Sequence, residues 1–77
     1  MNILLTSAGR RTYMVEYFKA AVGTEGRVYA ANSQHSPALD AADQSFVSPM
    51  IYDKDYIGFM LDICGKFGID MIVSLFD

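Results

Sequence analysis

The sequence predicts an α/β fold, a four-stranded parallel sheet in the order β-α-β-α-β-α-β with helices on both faces. Three observations carry that expectation. Ile3-Leu4-Leu5 is a continuous apolar run rather than an alternating one, which suits a strand buried on both faces. Segments with helical spacing separate every strand from the next. Right-handed crossovers then place the first two helices on one face of the sheet and the third on the other.

Each element follows in order. The first run ends at Thr6 and Ser7, and Gly9 opens a loop. Apolar pairs then recur every four residues, Tyr13 and Met14, Tyr17 and Phe18, Ala21 and Val22, which describes one stripe of a helix with Gly23 as its stop. Val28 to Ala31 reads as the second strand, broken at Asn32-Ser33. Pro37 can open a short helix through Ala42, because its missing N–H costs nothing in a first turn. Phe46 and Val47 form a brief third strand closed by Pro49. Asp53 is placed as the N-cap of a third helix, whose apolar face is Ile57, Met60, Leu61, Cys64 and Phe67. Gly68 and Ile69 suit a Schellman ending, and Gly65 inside the helix costs ~1 kcal/mol relative to alanine. Met71 to Phe76 is the fourth strand, and no repeat, linker or low-complexity tract interrupts the series.

Composition bounds what such a chain can do. It has 77 residues, 52% of them apolar. A domain of this size buries only about 60% of its unfolded surface, so two domains are excluded, and with them most enzymes that close a cleft between domains. Six basic residues stand against nine acidic ones, a net charge of -3 with no run of like charge, which gives no footprint for nucleic acid or an anionic membrane. No apolar stretch approaches the ~18 residues of a membrane span, and the opening apolar run is too short for a signal peptide. Cys64 is the single cysteine and cannot form an intrachain disulfide, which suits a reducing, cytoplasmic setting.

In open parallel sheets the ligand crevice lies beyond the carboxyl ends of the strands, so the loops there are the candidate sites. Thr6-Ser7-Ala8-Gly9-Arg10-Arg11 joins the first strand to the first helix. Such a turn aims backbone N–H groups and the positive end of the helix dipole at one spot, which suits an anion. Gly9 allows close approach, Ser7 offers a hydroxyl, and Arg10 or Arg11 can clamp a phosphate or carboxylate; equally, Gly9 can simply make the turn while the arginines stay solvated. One glycine is not the dinucleotide fingerprint. Asn32-Ser33 lies where a dinucleotide fold places its ribose acid, and asparagine there reads either as a weak ligand or as a turn residue bonding its own backbone. His35 lies in a polar loop with no second ligand at metal spacing, and Cys64 reads as a small core residue. Asp40 and Asp43 could share a helix face as paired carboxylates, whereas Asp53 and Asp55 suit a helix N-terminus. Neither a metal cluster nor a Ser-His-Asp set can be assembled. Asp77 ends the chain at the carboxyl end of the fourth strand, where the next connecting loop is expected.

The order of these segments resembles a known family. The opening Ile3-Leu4-Leu5-Thr6-Ser7-Ala8-Gly9-Arg10-Arg11, then Asn32-Ser33, Ser36-Pro37-Ala38-Leu39, Ala42-Asp43 and Pro49, and finally Ile72-Val73-Ser74-Leu75-Phe76-Asp77 are similar to the start of ATP-grasp proteins of the carbamoyl-phosphate-synthase-like kind. The resemblance covers residues 1–77 as one unit, the N-terminal pre-ATP-grasp domain of a longer protein. It implies a Rossmann-like sheet that shapes the acceptor-substrate side of a ligase site, through Ser7, Gly9, Arg10 and Arg11, with Asn32, Ser33 and Asp77 facing the same crevice. It also implies ATP and magnesium for the full-length parent but no cofactor in this chain. The expected partners are the remaining ATP-grasp domains or a second copy of the chain in a homo-oligomer. The alternative is a small non-catalytic α/β binding or oligomerisation module.

Overall fold

A computed structural model describes residues 1–76. Its elements are β1 (Asn2–Thr6), α1 (Thr12–Val22), β2 (Arg27–Asn32), α2 (Pro37–Ala41), β3 (Gln44–Val47), α3 (Tyr56–Phe67) and β4 (Met71–Ser74). The strands form one all-parallel sheet in the order β3-β2-β1-β4. The expected α/β fold is therefore observed, in the spatial order of the first four strands of a doubly wound sheet.

The sheet explains the continuous apolar run. Ile3 and Leu5 point into a core with Val28, Ala30, Val15 of α1 and Ala38 and Leu39 of α2. Leu4, between them, points the other way into a second core with Tyr29, Ala31 and Met60 and Ile63 of α3. Leu4 and Leu5 are both fully buried, one on each face. The first two helices thus cover one face and the third covers the other. β1 lies between β2 and β4, so β4 is left as an edge strand, with Met71 and Ile72 43% and 49% exposed.

Helix ends follow their local chemistry. Gly23 adopts φ 64 after α1 and its N–H reaches the Lys19 carbonyl at 3.1 Å. Gly68 is left-handed, and the Ile69 N–H reaches back to the Cys64 carbonyl at 3.0 Å while Ile69 packs on the second core, which completes the expected Schellman ending. α2 stops at Ala41, one residue short of expectation, because Ala42 turns extended. Leu75 lies past the end of β4 but still donates to the Thr6 carbonyl at 2.9 Å and is buried.

Two helices are rotated from the predicted faces. In α1 the packing residues are Met14, Val15, Phe18 and Val22, whereas Tyr13 and Tyr17 stand about two-thirds exposed. In α3 the inward face is Tyr56, Phe59, Met60, Ile63, Cys64 and Phe67, and Ile57 and Leu61 are each 66% exposed. In α3 the cause is aromatic. Phe67 and Phe46 approach to 5.1 Å between ring centroids and Phe67 and Tyr29 to 5.4 Å, so rings from two strands fix the rotation of the helix. Asp53 is not the N-cap of α3 either. Its carboxylate accepts the Asp55 N–H at 2.8 Å in a turn before the helix, which begins after Asp55.

Candidate functional site

At the carboxyl ends of the strands the loops enclose a crevice of about 450 Å³. Ser7, Gly9, Arg10 and Arg11 of the β1–α1 loop line it, together with Asn32 and Ser33 at the end of β2. These are all the predicted site residues except Asp77, which lies outside the described residues. Topology brings them together: β1 and β2 are paired neighbours with Leu5 opposite Ala30, so β2 ends at Asn32 one residue beyond the end of β1 at Thr6.

The β1–α1 loop is held rather than loose. Ala8 is fully buried and its N–H donates to the Ala31 carbonyl at 3.1 Å, while the Arg11 N–H donates to the Ala8 carbonyl at 2.9 Å. Ser7 carries φ 52, the one positive φ outside glycine among the described residues, and Gly9 carries φ 54. A left-handed residue with a Cβ costs roughly 1–2 kcal/mol, so the surrounding bonds enforce this turn. α1 then starts with Arg11 in the N-cap position, with no side chain capping it and no acidic residue in its first turn. Among the described residues, neither a capping side chain nor a first-turn acid faces the positive end of its dipole.

Asn32 acts differently from the ligand role considered for it. Its Oδ1 accepts the Gly9 N–H at 3.2 Å and its Nδ2 donates to the Gln34 carbonyl at 3.0 Å. Both ends of the amide hold backbone, and the Gly9 N–H is already partnered. Asn32 is thus a brace that fixes the loop. Its own carbonyl accepts the Ser48 N–H at 2.8 Å, tying in the loop after β3 as well.

That loop is what the sequence did not reveal. Pro49, Met50, Ile51 and Tyr52, with Leu75 and Phe76 after β4, make the apolar side of the crevice. The available signal was positional: the loop leaves the carboxyl end of a parallel strand. The charge is segregated too. Two of the chain's six basic residues line the crevice, and none of the described lining residues is among its nine acidic ones.

Other candidates are dispersed. Asp40 and Asp43 do not act as a pair, because Asp43 lies past the helix and accepts the Val28 N–H at 2.8 Å, whereas Asp40 meets exposed His35 at 3.3 Å. Cys64 packs half-buried in the second core. Among the described residues, no group of three His, Cys, Asp or Glu side chains could hold a metal ion, and no helix is long and apolar enough to cross a membrane.

The fold and crevice together define an open parallel α/β domain with a crevice at the carboxyl end of its sheet. The sequence pattern of the PylC-like N-terminal domain matches residues 3–77, and the chain belongs to that family. This is the pre-ATP-grasp N-terminal domain of ATP-grasp proteins, as the resemblance implied. No curated protein sequence matches the chain.

Proposed function

We propose that this chain is the substrate-side domain of an ATP-dependent carboxylate–amine ligase and does no chemistry alone. The observation that carries this reading is the crevice itself, which gathers Ser7, Gly9, Arg10 and Arg11 onto an uncapped helix start beside a braced Asn32. Such a surface holds and orients an anionic substrate. In the parent enzyme a carboxylate would be activated as an acylphosphate and passed to a nucleophile, with ATP and magnesium held by the remaining ATP-grasp domains. The described crevice supports the substrate side of that reading with the two arginines among its lining residues. Isothermal titration of the 77-residue chain with Mg-ATP tests the reading. Heat consistent with no binding is expected, and micromolar affinity would overturn it.

The exposed β4 edge supplies the natural place for the rest of such a polypeptide. Met71 and Ile72 are paired with β1 on one side only, with no proline or charge within the strand to discourage further pairing. The same edge favours a second reading, a homo-oligomeric module in which two copies pair along β4. Sedimentation velocity separates the two, since a clean monomer at micromolar concentration rules out the module.

A further inference from the structure

Two loops that line the crevice are tied to the end of β2, and both ties run through Asn32. The Gly9 N–H of the β1–α1 loop donates to Asn32 Oδ1 at 3.2 Å, and the Ser48 N–H after β3 donates to the Asn32 carbonyl at 2.8 Å. A third bond joins these two. Asn32 Nδ2 donates to the Gln34 carbonyl at 3.0 Å, which closes a ring across the peptide unit between Asn32 and Ser33. The carbonyl that receives Ser48 belongs to that same peptide unit, so its direction depends on the side-chain bond. Ser33, Gln34 and His35 are all exposed, so burial does little to hold this peptide in place of the ring. On the other side, Ser7 and Gly9 hold φ 52 and 54, a shape that persists only where its surroundings enforce it. The Ala8 N–H to the Ala31 carbonyl and the Gly9 N–H to Asn32 are the bonds that pin this turn to β2.

We propose that Asn32 is a positioning residue whose side chain makes the two crevice loops one unit: its loss releases both, although the second loop is bonded to its backbone. Asparagine suits the task because one planar group carries an acceptor for Gly9 and a donor for Gln34. A carboxylate of the same shape keeps the acceptor and loses the donor. Coupling of this kind travels through a contiguous chain of hydrogen bonds, here Gly9 to Asn32 to Gln34 and back through the Asn32 carbonyl to Ser48. The inference concerns the shape of the crevice and holds for whatever ligand the crevice takes.

The test is ¹⁵N relaxation of the 77-residue chain without ligand, read amide by amide as order parameters. In the unsubstituted chain Gly9, Ser48 and Met50 are expected near the rigid value of about 0.85. In Asn32→Ala all three should fall to about 0.6 or lower, while Leu4, Leu5 and Ala30 in the sheet keep theirs. The HN–Hα coupling of Ser7 should shift as well, because its φ leaves the left-handed region. Asn32→Asp separates the two arms. Gly9 keeps its acceptor and stays rigid, whereas the second carboxylate oxygen repels the Gln34 carbonyl and Ser48 and Met50 loosen. Unchanged order parameters at Ser48 and Met50 in both variants would overturn the inference, since the loops would then be independent. So would a fall shared equally by the strands, which a general loosening of the fold produces. No ligand takes part, so either result leaves the anionic reading where it stood.

Discussion

At the amino ends of the strands, side chains close onto backbone. The Asn2 amide donates to the Phe67 and Gly68 carbonyls at 3.1 and 3.2 Å, so the start of β1 caps the end of α3. The Asn2 N–H in turn reaches the Asp70 carboxylate at 2.8 Å, and Asp43 takes the Val28 N–H at the same distance. At the carboxyl ends the same residue type, Asn32, holds a loop in a left-handed turn, leaves two arginines lining a crevice and an apolar wall half-covered. One end uses its polar groups to finish secondary structure. The other uses them to keep a surface open. The difference teaches where stability and binding are separately held, and substitutions at the two ends should divide accordingly.

The largest effect is expected at the amino end. Asn2→Ala removes both donors to the last carbonyls of α3, at about 2 kcal/mol for two hydrogen bonds to a partly buried helix end. Urea denaturation should show a lower midpoint with an unchanged slope. Oxyanion-induced shifts at residues 7–12 should persist. If Asn2→Ala abolished those shifts while the chain stayed folded, the two ends would not be independent.

Next comes a stabilising change at the same end. Gly65 lies in the last turn of α3, and a Cβ built on it meets nothing within 4 Å. Gly65→Ala should therefore recover up to about 1 kcal/mol, the usual difference between the two residues in a helix. For a domain this small that raises the melting temperature by roughly 4–8 °C. Binding at the crevice should not change. A loss of stability would show that the outer surface of α3 is covered by something in solution, as the exposed Ile57 and Leu61 would allow.

Much of this architecture was legible in the sequence, and the failures share a cause. Strand positions, the glycine stops at Gly23 and Gly68 and the side on which each helix packs follow from run length, local dihedrals and crossover handedness. Helix rotation did not follow. In α3 two stripes overlap at Met60, Cys64 and Phe67, and the choice between Ile57 with Leu61 and Phe59 with Ile63 is made by the rings of Tyr29 and Phe46, far away in sequence. Asp43 was misread for the same reason, since it bonds the Val28 N–H that only the folded path places beside it, whereas Asp53 makes a local turn with the Asp55 N–H in place of a helix cap. For the site, the topological rule points to the carboxyl ends of the strands, where Ser7, Gly9, Arg10, Arg11, Asn32 and Ser33 line one crevice. It did not reveal the wall of Met50 and Tyr52, because an apolar loop carries no motif. Nor could it turn Asn32 from ligand into brace, a role set by the position of the Gly9 N–H.

The smallest effect probes the strained turn directly. Ser7 holds φ 52 with a Cβ that glycine lacks, so Ser7→Gly relieves the left-handed strain but restores freedom to the unfolded chain. These terms oppose, and the net gain should be about 0.5 kcal/mol, measured as a slightly higher urea midpoint. The same substitution deletes the one hydroxyl of the β1–α1 loop that lines the crevice, so oxyanion binding should weaken several-fold as stability rises. Movement of stability and affinity in opposite directions is what a turn held for binding demands. Were both to rise, the strain at Ser7 would serve no ligand, and the carboxyl end would differ from the amino end only in being less tightly closed.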